Sequence, residues 1–161
     1  MIILGIDPGF ATIGYGVVEQ TKTGLVPVDF GVITTPTTEI FPVRLAMIDE
    51  AMNSLMDKFK PNVVSVEELF FNTNITTGIK VAHARGIIIA SAIKTCGLIY
   101  EYTPLQIKQA LTSNGRAAKN QVQYMVKHIL KLQSIPKPDD AADALAAAIC
   151  HANTLNKREA L

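Results

Sequence analysis

Ile2-Ile3-Leu4-Gly5-Ile6-Asp7-Pro8-Gly9, at the start of the chain, decides the fold class. Residues 2–6 form a short apolar run, which reads as a buried strand. Pro8 and Gly9 turn the chain directly after Asp7. Gly14-Tyr15-Gly16-Val17-Val18 reads as the returning strand, and residues 26–33, after the Lys22-Thr23-Gly24 turn, as a third. Three consecutive strands with tight connections predict an antiparallel meander.

Beyond the meander the period changes. Phe41, Leu45, Ile48, Met52, Leu55, Met56 and Phe59 fall at helical spacing and predict one amphipathic helix, closed before Pro61. Residues 62–66 predict a short strand that runs into Glu67 and Glu68. After a polar loop over 72–76, residues 77–95 predict a long helix. Its stretch 86–93 is apolar almost all round, so one face is expected at a subunit interface. A fifth strand is expected over 98–102. A helix over 104–111 follows, with Thr103 as its N-cap. Ser113-Asn114-Gly115 breaks the chain before an amphipathic helix over 119–132, and a last helix is expected from Asp139 to about residue 154. The order βββαβαβ followed by helices describes an α/β protein with a mixed sheet.

A length of 161 residues suits a single domain over 1–161, and 48% hydrophobic with 18% charged residues excludes a disordered chain. Cys96 and Cys150 alone exclude a disulfide scaffold and a multi-cysteine zinc site. No apolar run reaches membrane-spanning length, and the start lacks a basic leader, so a cytoplasmic protein is expected.

The formal charge of +1 conceals an asymmetry. Residues 1–70 carry nine acids against four bases, a net of −5, whereas residues 102–138 carry six bases and no acid. The bases are Lys108, Arg116, Lys119, Lys127, Lys131 and Lys137. Such a segment is either a solvated lysine-rich face or the footprint of an anion such as a nucleic-acid backbone.

Four acids stand where a folded chain tolerates them poorly. Asp7 ends the first apolar strand, Glu67 follows Val63-Val64-Ser65-Val66, and Asp140 and Asp143 head an alanine-rich apolar helix. Buried carboxylates protonate, pair or bind metal. Carboxylate oxygens suit a hard ion such as Mg2+. Structural readings compete. Asp7 suits an Asx-turn. Glu67 and Glu68 suit an exposed strand end. Asp139 suits an N-cap after Pro138, and Asp140 complements the helix dipole. Asp143, set among Ala141, Ala142, Ala144 and Leu145, is the hardest to explain structurally. Asp140 and Asp143 share a helix face at i,i+3, but Asp139 and Asp143 do so at i,i+4, so spacing leaves the pair open. The glycines are too few for a phosphate-binding loop, and His83, His128 and His151 form no metal-ligand pattern. Phe70 and Phe71 suit a core, or a ring that stacks on bases.

Five segments carry a family resemblance: LGIDPGFATIGYGVV (4–18), VEELFFNTN (66–74), KVAHARG (80–86), IKQALTSNGRAAKNQVQYMV (107–126) and DDAADALAAAICH (139–151). In this order and spacing the chain resembles the RuvC family, bacterial Holliday-junction resolvases among the retroviral-integrase and RNase H-like nucleases. The resemblance implies an RNase H-like five-stranded mixed sheet, its first three strands antiparallel, flanked by helices. It implies Asp7, Glu67, Asp140 and Asp143 as catalytic, metal-binding acids, and so favours Asp140 over Asp139. It implies two Mg2+ ions per site, with Mn2+ as substitute. It places Lys108, Lys119 and Phe70 against junction DNA, with Lys119 also serving catalysis; Arg116, in the same basic segment, is a further DNA-binding candidate. It implies a homodimer joined through the helix over 77–95, and the branch-migration proteins RuvA and RuvB as partners. The expected reaction is paired, symmetric nicking of four-way junctions, leaving 5′-phosphate and 3′-hydroxyl ends, in recombination and repair. The departures are the added acids Glu68 and Asp139 and an early end after the last helix. Two other readings stand beside it: an RNase H-like nuclease acting on RNA, of RuvX type, and a non-nuclease ATP-binding domain.

Overall fold

A computed structural model of the chain describes residues 1–68 and 75–159. Along it run β1 (Ile2–Asp7), β2 (Thr12–Thr21), β3 (Gly24–Thr34), α1 (Phe41–Phe59), β4 (Val63–Glu67), α2 (Ile75–Thr95), β5 (Ile99–Tyr102), α3 (Pro104–Thr112), α4 (Lys119–Ile129) and α5 (Asp139–Glu159). The strands form one sheet in the order β3-β2-β1-β4-β5. β1 to β3 pair antiparallel, and β4 and β5 continue parallel to β1. This is the mixed sheet expected from the sequence.

Strand alternation divides the core into two layers. Leu4 and Ile6 of β1 and Val64 and Val66 of β4 pack with Ile48, Met52 and Met56 of α1 and Ile88 of α2. On the opposite face Ile3 and Val63 pack with α3, α4 and the alanine-rich side of α5. Burial of each such large aliphatic side chain contributes about 1.5–3 kcal/mol.

α5 lies flush on the second face because the sheet is shaved there. A Cβ on Gly5 would fall 2.0 Å from the Ala144 carbonyl, and one on Gly14 would fall 2.0 Å from the Asp140 carbonyl. Any side chain at either position would push the helix away. The alanines of α5 reciprocate, with Ala141, Ala142, Ala144, Ala146, Ala147 and Ala148 all buried.

Some boundaries differ from expectation. β2 and β3 are longer, because the hydrogen-bonded hairpin continues through Glu19, Gln20 and Thr21 to the pairing of Thr21 with Gly24. Polar, half-exposed strand ends leave no apolar signal. α4 stops at Ile129 rather than at residue 132: Leu130 is its C-cap, and Lys131 turns left-handed at φ 52°. Apolar spacing outlasts the helix there because Leu130 still packs into the core. α2 starts at Ile75, and α5 runs on to Glu159. Thr103 caps α3 as expected, in a reciprocal pair with Gln106. Arg44, one of the bases of the acidic half, is buried rather than solvated. Its Nε donates to Thr35 Oγ1 at 2.9 Å, and its guanidinium lies 4.0 Å from the centre of the Phe10 ring. These contacts fasten the turn after Asp7 to α1.

Candidate active site

The pleat that buries Ile3 and Gly5 toward α5 sends Asp7 to the same side. β4 repeats the pattern with Val63, Ser65 and Glu67. Because Gly5 pairs with Ser65 and Ile6 with Val66, Asp7 and Glu67 end neighbouring parallel strands on one face. Ser65 Oγ donates to the Ala147 carbonyl at 2.7 Å and fixes β4 against α5. Asp143, one turn N-terminal to that carbonyl, therefore stands over the two strand ends.

These three acids open into a cleft of about 420 Å³. Glu68 joins them, Lys108 from α3 and Lys119 from α4 supply positive charge, and Pro8, Pro104, Ile107, Val122 and Ala146 supply apolar walls. Burial is the main reason that Asp7 is pushed up to about 7, with further repulsion from Asp143 and Asp140 and partial relief from Lys119. Burial likewise pushes Glu67 up to about 8, reinforced by Asp7 and Asp143 and opposed by Lys119 and Lys108. Lys119 Nζ donates to Asp143 Oδ2 at 2.8 Å, and that bond, above all, holds its ammonium above the usual lysine range.

Among the described residues no three Asp, Glu, His or Cys side chains converge on one point; Asp143 faces the Lys119 ammonium instead. The donor chemistry nevertheless fits a hard divalent cation. Among its described lining residues the cleft offers carboxylate oxygens and no thiolate or imidazole. Asp7 and Glu67 are held up by burial and by repulsion from neighbouring carboxylates, which a cation would relieve.

The other sequence candidates fall as follows. Asp140 does not line the cleft; its backbone packs on Gly14, and its charge reaches Asp7. Asp139 sits outside, bonded to Lys137 at 2.6 Å. Arg116 is exposed in the α3–α4 loop, away from the cleft walls. Phe70 lies outside the described residues. Sequence reasoning missed the apolar walls. It also missed the Lys119–Asp143 pair, which joins residues far apart in the chain and leaves no local signal.

The chain's likeness to known proteins agrees with this geometry. The model of the family described as crossover junction endodeoxyribonuclease RuvC matches residues 3–151. The RuvC crossover junction endodeoxyribonuclease of Alkaliphilus oremlandii is 50% identical, over 99% of this chain and 97% of that protein. The structure of Thermus thermophilus RuvC superposes with a TM-score of 0.90 at 35% identity, covering 98% of this chain and 97% of that one. The structure of T. thermophilus RuvC in complex with Holliday junction substrate gives 0.87 at 34% identity, covering 98% and 96%. The fold is that of an RNase H-like nuclease. The chain belongs to the RuvC family, whose nucleases are in general metal-dependent.

Proposed function

We propose that the chain, as a single domain over 1–161, resolves four-way DNA junctions in the cytoplasm by paired, symmetric nicks. The observation that carries this reading is that Asp7, Glu67 and Asp143 line one cleft together with Lys108 and Lys119, in a member of this family.

Asp7, Glu67, Asp140 and Asp143 would hold two Mg2+ ions, with Mn2+ as substitute. Held by these acids, such ions would supply Lewis acidity: a more acidic bound water and neutralisation of charge on phosphate oxygens. The remaining work falls to the chain itself. The apolar walls lower the local dielectric, which strengthens every charge interaction in the cleft. Lys119 places positive charge where phosphate oxygens gain charge, and Lys108 holds a phosphate from α3. Arg116 contacts DNA by charge, and Phe70 by stacking on bases near the junction centre. A homodimer joined through α2 presents two such clefts to two equivalent strands, and two-fold symmetry then makes the nicks symmetric. RuvA and RuvB are the proposed branch-migration partners. The ends are a 5′-phosphate and a 3′-hydroxyl.

The test is cleavage of a mobile four-way junction beside a linear duplex and a hybrid RNA–DNA duplex. Preference for the junction, with ligatable products, supports the reading. Preference for the hybrid would replace it with an RNA-directed nuclease.

A further inference from the structure

Four side chains of alternating charge run from the surface into the cleft. Lys137 Nζ lies 2.6 Å from Asp139 Oδ1, and Asp139 Oδ2 lies 3.7 Å from Lys119 Nζ. Lys119 Nζ lies 2.8 Å from Asp143 Oδ2. Side-chain exposure falls from 70% at Lys137 to 25% at Asp143, so the chain has a solvated end and a cleft end. Lys119 stands between two carboxylates and is bonded to the inner one.

This arrangement is a problem for any divalent cation that uses Asp143. The carboxylate oxygen it needs already accepts from an ammonium, and two like charges at close range repel. Lys119 has to leave Asp143 without leaving the cleft, where its charge faces phosphate. Its flexible four-carbon stem permits a short swing. Asp139 lies within about 1 Å of direct hydrogen-bond distance from it. Asp139 does not line the cleft, so it can accept the ammonium without competing for the metal. Lys137 holds it in place from the far side.

We propose that Asp139 is a positioning residue, the acceptor to which Lys119 transfers when a divalent cation claims Asp143. This rests on the reading that the cleft acids hold metal. Metal binding then frees Lys119 from its internal ion pair and leaves its charge at the cleft mouth. Without Asp139 the ammonium has only Asp143 to bind, and the metal must compete harder for that carboxylate.

The test is calorimetric titration of Mn2+ alone into the DNA-free full chain, comparing the unmodified protein with Asp139→Asn, Lys119→Met, the double variant and Asp139→Glu. Asparagine also caps helices well, so α5 should keep its start. Asp139→Asn should weaken Mn2+ binding about fivefold, at the lower end of coupling between sites. Lys119→Met should tighten it, because the competing cation is gone. In the Lys119→Met background Asp139→Asn should have little effect, and Asp139→Glu should restore affinity in the Lys119 background. Equal weakening by Asp139→Asn with and without Lys119 would make Asp139 a mere source of negative charge and overturn the proposal. Asp143→Asn serves as the control for the metal reading itself. Loss of Mn2+ binding in that variant upholds the reading whatever Asp139 does, whereas unchanged binding would remove both the reading and the inference built on it.

Discussion

Ser65 and Ala147 are joined by a buried 2.7 Å hydrogen bond, from the hydroxyl of one to the carbonyl of the other. The bond lies two residues before Glu67 and one turn after Asp143, so it couples the strand and the helix that carry these two acids. Ser65→Ala should lower stability by about 1 kcal/mol, the net worth of one such bond. It should also slow cleavage, because small displacements of reacting groups are expensive in rate, while junction binding holds. Denaturant unfolding and single-turnover cleavage check both. A variant with the stability loss and a full cleavage rate would show that the bond serves folding alone.

The raised carboxyls give the metal-free protein a pH signature. Asp7 ionises near 7 and Glu67 near 8 in the fold, against 3.8 and 4.5 in an unstructured chain. Between those limits the folded state binds more protons than the unfolded state. Stability therefore falls as pH rises from 3.8 to about 8. In chelator, the melting temperature should drop across this window, and Asp7→Asn should flatten the slope and melt higher at pH 8. Mg2+ should recover the loss at the upper end, since a cation bound to the native carboxylates stabilises their charged form. An identical pH slope in Asp7→Asn would show that the Asp7 carboxyl is not the group resisting ionisation.

α2 is expected to carry the dimer contact. It buries Ala84, Ile88 and Ala92 against the sheet and α1, yet leaves Ile79 54% and Ile93 47% exposed. Ile79, Gly86 and Ile93 recur every seven residues, on one face of the helix. Ile93→Asp removes nothing from the core, so it should yield a folded monomer that binds junctions poorly and makes no paired nicks. Sedimentation velocity checks this. An unmodified protein that sediments as a monomer at micromolar concentration, with full resolving activity, would defeat the interface.

Much of this was legible in the sequence, for reasons particular residues make plain. The alternation of Ile3, Gly5 and Asp7 against Leu4 and Ile6 is a strand pattern, and its odd members all point at α5. Asp143 stood out because alanines surround it, and it does line the cleft. Asp139 and Asp140 could not be separated by spacing, since either shares a face with Asp143. In the fold neither side chain lines the cleft: the Asp140 carbonyl packs on the bare backbone of Gly14, and Asp139 turns outward to Lys137. Lys119 was read as a base facing DNA, and its bond to Asp143 was invisible because it depends on how α4 packs on α5. His151, which forms no metal-ligand pattern in the sequence, is a core residue, 1% exposed, with Nδ1 2.8 Å from Tyr102 Oη.

The two cleft lysines should behave differently from the outer ones. Lys108→Ala and Lys119→Ala should each lower the slope of log affinity against log salt by about one unit. Lys119→Ala should also slow cleavage of bound DNA, as loss of transition-state charge requires. Lys131 and Lys137 lie off the cleft, and their removal should barely change the slope. Junction affinity across a salt series checks the set. Unchanged slopes and rates for Lys108→Ala and Lys119→Ala would return both to ordinary surface charge.

The most direct measurement is single-turnover cleavage of a mobile four-way junction, with junction affinity measured in parallel, in Mg2+ and in chelator. The unmodified protein should make paired, ligatable nicks in Mg2+ and none in chelator. Asp7→Asn, Glu67→Gln, Asp140→Asn and Asp143→Asn should each bind the junction and fail to cut it, while Asp139→Asn cuts at a nearly normal rate in saturating Mg2+. Cleavage that persists in chelator, or that survives Asp7→Asn and Asp143→Asn, would contradict the assignment of this cleft as a metal-dependent nuclease centre.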